Sequence, residues 1–240
     1  MKTRGTHRER IIRTLLVEPN GTLTKYKLAK KAETSFPWTH EFLNKLQTQN
    51  LTKDTQVTNY TGLINYWLQI KTKPEKREYM HKNALDLIQT SKLPYALTTY
   101  QAENLVQHYL FPSRIDLYIK REDVAKWHEE LTIDGLVGRG NLRLLIADEH
   151  VFYGAVKRQN LTVVSIAQLI VDLLQEGGVC TEAAEKLINK MEQQVTWINY
   201  MWKKRVSPIL DPKISPNPKH IALNTDSRID GEKTTRNAQQ

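Results

Sequence analysis

The sequence predicts an α+β chain that opens with a winged helix-turn-helix. Three observations lead there. Three short helical segments occupy residues 6–49, the apolar spacing changes from helical to alternating after Leu51, and basic charge is concentrated in the same stretch. Of the 240 residues, the first 90 carry 16 Lys/Arg against 8 Asp/Glu, whereas residues 91–204 carry 13 against 14. An excess confined to one region points to a polyanionic partner held there.

Residues 6–18 read as a helix, with Ile11, Ile12, Leu15 and Leu16 on one side and Arg8, Arg10 and Arg13 among the rest. Pro19-Asn20-Gly21 stops it. A second helix is expected at about 25–32, burying Leu28, Ala29 and Ala32. Glu33-Thr34-Ser35 supplies the turn, and a third helix is expected at about 36–49 with Pro37 in its first turn, where no intrahelical N–H is lost. Thr39, Leu43 and Leu46 form its buried stripe, leaving Trp38, His40, Glu41, Asn44, Lys45 and Thr48 outward. Alternation of Ile64, Tyr66, Leu68 and Ile70 with their neighbours predicts a strand over 63–71. It would pair with a strand at about 51–58 through the turn Asn59-Tyr60-Thr61-Gly62, making the wing.

Lys73–Lys76 reads as the start of a charged connector, followed by a helix holding Ala84, Leu85, Leu87 and Ile88. Beyond Pro94 the pattern is mixed: a helix at about 96–109, a strand at 114–120, a helix around 123–131, and strands at 142–147 and 161–164. Ser165 caps a helix that Gly177-Gly178 ends, and Thr181 caps a last helix reaching about Lys204. Pro208, Pro212, Pro216 and Pro218 mark a tail expected to be disordered. The expected organisation is a DNA-binding domain at 1–75, a connector helix at 76–93, an α+β domain at 94–204 and a tail at 205–240.

The third helix is the element that would enter the major groove, while cations of the first two helices and the wing neutralise phosphates. Lys25, Lys27, Lys30, Lys31, Ser35, Trp38, His40, Asn44, Lys45 and Thr48 are therefore the candidate DNA-binding residues. No catalytic or metal-binding residue and no cofactor is expected. Nucleotidyl transfer with two metal ions needs Gly-Ser followed by paired carboxylates; no Gly-Ser occurs, and Asp116 lacks a carboxylate two residues away. Past the connector, the Asp-x-Lys pattern of a nuclease occurs only at Asp211-Pro212-Lys213. Cys180 is the single cysteine, and the seven histidines include no i, i+4 pair. The most apolar stretch, Val163–Leu174, is shorter than the ~20 residues needed to span a bilayer, and no secretory leader is legible. A cytoplasmic protein with no membrane partner is expected.

Tyr95–Ala102, Arg114–Ile119, Asn141–Leu145, Val163-Val164-Ser165, Asp172-Leu173-Leu174 and Gly177-Gly178, in that order and spacing, resemble the AbiEi-type antitoxin and transcriptional-regulator family. Thr181–Glu185 fits that family's closing helix, and residues 24–51 resemble the winged helix preceding its characteristic domain. The resemblance covers about residues 6–195. It implies a nucleotidyltransferase-like C-terminal fold without catalytic residues, repression of the protein's own operon through double-stranded operator DNA, and neutralisation of a toxin's effect without obligatory direct contact. Two other readings stay open: a diverged nucleotidyltransferase or nuclease aimed at DNA, and a scaffold whose winged helix binds protein.

Overall fold

The N-terminal helices follow the expected pattern. The computed structural model describes residues 2–210, with side chains described from residue 5 to residue 197. Helix α1 (Lys2–Val17) buries Ile11, Ile12, Leu15 and Leu16 completely or almost so. Helix α2 (Lys25–Lys31) is capped by Thr24, whose hydroxyl accepts from the Lys27 N–H at 3.2 Å. Helix α3 (Phe36–Thr48) buries Thr39, Leu43 and Leu46 as expected, with Phe42 added to the stripe.

The hairpin differs from its expected form. Strands β1 (Thr52–Lys53) and β2 (Gln56–Val57) pair with each other, so the whole hairpin fits inside the stretch assigned to one strand. The expected strand over 63–71 is instead helix α4 (Tyr60–Ile70). The Asn59 side chain accepts from the Gly62 N–H at 2.7 Å and starts it. Tyr60, Leu63, Ile64 and Trp67 are then buried at i, i+3, i+4 and i+7, a helical stripe. A run this rich in apolar residues fits both periods, and tertiary burial of Trp67 decides between them.

The expected connector helix at 76–93 is helical only in its second part. Its first part is strand β3 (Glu75–His81), exposed on both faces at Glu75, Lys76 and Arg77 and buried on one face further along, at Tyr79 and His81. Helix α5 (Ala84–Thr90) follows as expected. The expected helix at 96–109 splits into strand β4 (Tyr95–Thr98) and helix α6 (Thr99–Gln107). The break falls at Thr99, whose φ of 49° lies in the left-handed region, a conformation costing a β-branched residue about 1–3 kcal/mol. Two buried hydrogen bonds hold it: the Thr98 hydroxyl donates to Asp172 at 2.6 Å and the Thr99 hydroxyl to Asp116.

Strand β5 (Ile115–Ile119), helix α7 (Val124–Thr132), strand β7 (Leu142–Ile146), strand β9 (Leu161–Val163) and helix α8 (Ile166–Glu176) lie where expected. Two three-residue strands, β6 (Gly135–Val137) and β8 (Val156–Arg158), carry no alternation long enough to be read. The Ser165 side chain caps α8 at 3.3 Å, and Gly177, with φ of 77°, ends it. Helix α9 (Val179–Leu210) begins at once, so Thr181 sits inside its first turn rather than capping it. The helix also takes in 205–210, part of the expected disordered tail; the rest of that tail lies outside the described residues.

Seven strands form one mixed sheet in the order β6-β3-β7-β5-β4-β9-β8. The β5–β7 and β4–β9 pairs are parallel and the others antiparallel. Every residue of β5 is buried, as befits the central strand. Helices α1 and α4 pack on α8, which joins the N-terminal helices and the sheet in one unit spanning residues 1–200. Among the described residues no helix is long and apolar enough to cross a membrane.

Candidate nucleic-acid interface

The candidate residues separate by what already holds them. Lys25 reaches Asp54 at the hairpin tip (3.1 Å), and Lys31 reaches Glu18 at 2.5 Å. Lys27, Lys30 and Lys45 are exposed and, among the described residues, lie in no ion pair. The last three therefore carry charge that an incoming anion would not have to win from a carboxylate.

On α3, His40, Asn44, Lys45 and Thr48 are exposed, as expected. Asn44 Nδ2 and His40 Nε2 lie 3.4 Å apart, one helical turn from each other. The Thr48 hydroxyl donates back to the Lys45 carbonyl at 2.8 Å. Ser35 is exposed at the N-cap position but its side chain makes no capping bond. Trp38 departs from the outward placement. Its ring is half-buried against Phe42, 5.6 Å between centroids, with His7 edge-on at 5.5 Å, so it serves chiefly to seat α3 on α1.

The tertiary structure adds residues that the helical pattern left out. Arg8 of α1 lies over the Phe42 ring and shares a recess of about 310 Å³ with Trp38, Glu41 and Lys45. Tyr26 on α2 is 68% exposed, and Phe36 at the start of α3 is 45% exposed with its ring stacked on His40. Lys53 in the hairpin is exposed and outside any ion pair among the described residues. The amphipathic pattern on α2 and α3 offered a signal for Tyr26 and Phe36; Arg8 is one of the first-helix cations expected at phosphates, and only its place beside Lys45, distant in sequence, was not legible.

Helix α1 is tied by a polar strut to α8 and to the segment that follows β7. Arg10 forks onto Asp148 through Nε at 2.9 Å and Nη2 at 2.7 Å, and also meets Glu33. Buried Arg13 donates through Nε to Gln168 at 3.0 Å and lies over the Trp67 ring. Its Nη1 lies 3.0 Å from His150 Nδ1. Because a guanidinium only donates, Nδ1 must accept. His150 is then the neutral Nε2–H tautomer, which donates to the Lys31 carbonyl at the end of α2, 3.0 Å away. Burial, and then the Arg13 charge, push the His150 pKa down to about 4.

That depressed value sets a pH window. Between pH 6.5 and about 4 the unfolded imidazole binds a proton that the folded one refuses, so stability falls as pH drops through this range. The expected loss is about 2 kcal/mol after allowance for partial solvent screening. His150→Gln keeps an acceptor and a donor without titrating. Denaturant melts at pH 7, 5.5 and 4.5 should show a shallower decline for the variant; parallel declines would contradict the assignment.

The remaining acidic cluster is similarly engaged. Asp116 is fully buried and takes both nitrogens of the Arg114 fork at 2.7 and 2.8 Å. Arg114 and Arg143 converge on Glu176 at 2.7 and 3.3 Å. Among the described residues no group of three or more His, Cys, Asp or Glu is placed to hold a metal ion. Gly138-Arg139-Gly140 forms the bend after β6. No family model, curated protein or solved structure matches the chain.

Proposed function

We propose that the protein is a DNA-binding transcriptional regulator that reads duplex DNA with α3. The observation carrying this reading is the set of exposed lysines outside ion pairs, Lys27, Lys30, Lys45 and Lys53, on α3 itself and on α2 and the hairpin, which pack against it. Two helices joined by a short turn, followed by a hairpin, are the parts of a winged helix-turn-helix. Lysines on α2 and the hairpin suit phosphates, and Asn44 suits an adenine edge, which an amide can engage through both N6 and N7. The resemblance to AbiEi-type regulators extends the proposal to repression of the protein's own operon. In that reading the sheet region is a non-catalytic, nucleotidyltransferase-like body.

A mobility-shift titration with DNA from upstream of the protein's own gene tests the reading. Asn44→Ala should cost ~1–3 kcal/mol on the preferred sequence and little on random duplex. Lys30→Ala should weaken both duplexes alike and lower the salt slope by ~1. Loss of discrimination in Lys30→Ala alone, with Asn44→Ala unaffected, would overturn the assignment of α3. Absence of salt-sensitive duplex binding would overturn the function.

A further inference from the structure

The two edges of the sheet differ in chemistry. Edge strand β8 carries exposed Lys157 and Arg158, charges of the kind that keep an edge from pairing with another chain. Edge strand β6 carries no charge. Leu136 is 73% exposed and Val137 65%, while nearby Met80 is 50% and Ile133 77% exposed. Met80 stands directly opposite Leu136 in the β3–β6 register, so these two share a face. An apolar cluster of this kind on an open edge marks a contact surface.

The backbone of β6 is oriented for a further strand. The Gly138 N–H donates to the Glu78 carbonyl at 3.0 Å, one step beyond the Tyr79–Val137 pair. Bonds in an antiparallel pair alternate, so Leu136 bonds inward to β3 while the N–H and C=O of Gly135 and Val137 point away from the sheet.

We propose that β6 pairs antiparallel with β6 of a second copy of this chain, about a two-fold axis at Leu136. In that register Gly135 of each copy exchanges hydrogen bonds with Val137 of the other, using every outward group of the strand. Leu136 meets Leu136 across the axis, flanked by the two Met80 side chains. On the opposite face each Val137 stands across from Gly135 of the other copy. Charge selects a second copy as the occupant. Asp134 and Arg139 flank β6 at opposite ends, both exposed and, among the described residues, in no ion pair. In this register each Asp134 falls opposite Gly138 of the other copy, one residue from its Arg139, so the acidic end of each strand meets the basic end of the other, twice over; a parallel arrangement would set like against like. A two-fold contact requires such a self-complementary patch.

Sedimentation of the full chain tests this. The wild type should sediment as a dimer, and Leu136→Lys as a monomer with unchanged circular dichroism. Asp134→Arg and Arg139→Asp should each weaken the dimer at least about tenfold, and the two together should restore it. The charge exchange decides the matter if Leu136→Lys fails to fold. A wild type that stays monomeric up to high micromolar concentration overturns the proposal. So does a dimer indifferent to these changes, or one that the double exchange fails to restore.

Discussion

Replacing Asp172 by alanine is expected to lower the unfolding free energy by about 3–5 kcal/mol, the range for removing one partner of a buried ion pair. The Lys71 and Asp172 side chains are 3% and 4% exposed. The carboxylate also receives the Thr98 hydroxyl at 2.6 Å, the Tyr118 hydroxyl at 3.0 Å and the Gln168 amide at 2.9 Å. Alanine would leave a nearly buried ammonium and three neutral donors without their acceptor. Lys71→Met is expected to cost less, about 2–3 kcal/mol, because the carboxylate keeps its three neutral donors. Urea melts followed by circular dichroism give both values, and Asp172→Ala should lower Tm by roughly 10 °C. If Lys71→Met proved the more damaging, the carboxylate would not be the hub of this cluster. Lys71 closes α4 and Asp172 lies on α8, so loosening the pair should also loosen the N-terminal helices from the sheet.

Simultaneous replacement of Lys27, Lys30 and Lys45 by alanine is expected to reduce duplex affinity by roughly two orders of magnitude near 0.15 M salt. Each phosphate contact contributes ~0.9 to the logarithmic salt slope, which amounts to about 0.7 of a decade in affinity at that ionic strength. The slope itself should fall by about 3. Lys25 and Lys31 serve as internal controls, since Asp54 and Glu18 already neutralise them. Their double replacement should change affinity by less than about tenfold. Fluorescence anisotropy on one duplex at several salt concentrations measures all of this. Equal losses from the two sets would show that ion pairing does not sort the phosphate contacts, and no loss from the triple variant would move the DNA surface elsewhere.

What the sequence determined by itself lies where local chemistry suffices. Helices α1, α2 and α3 were legible because a spaced apolar stripe and a stop or turn signal agree within each segment. Strands β5 and β7 and helix α8 were legible for the same reason, and so were the exposed positions His40, Asn44, Lys45 and Thr48 of α3. Only the tertiary structure decided the rest. Leu63, Ile64 and Trp67 fit a strand or a helix until the core against α1 and α8 takes one face of them. Strand β4 exists because β5 and β9 flank it, partners about 20 and 65 residues away, and the strain at Thr99 is held by two distant aspartates. Which lysines stay outside ion pairs likewise depended on carboxylates at Glu18 and Asp54 that no helical spacing connects to them. Capping and amphipathic patterning act over a few residues, so they are written locally. Strand pairing and charge pairing join distant parts of the chain, so they are fixed only when the chain closes on itself.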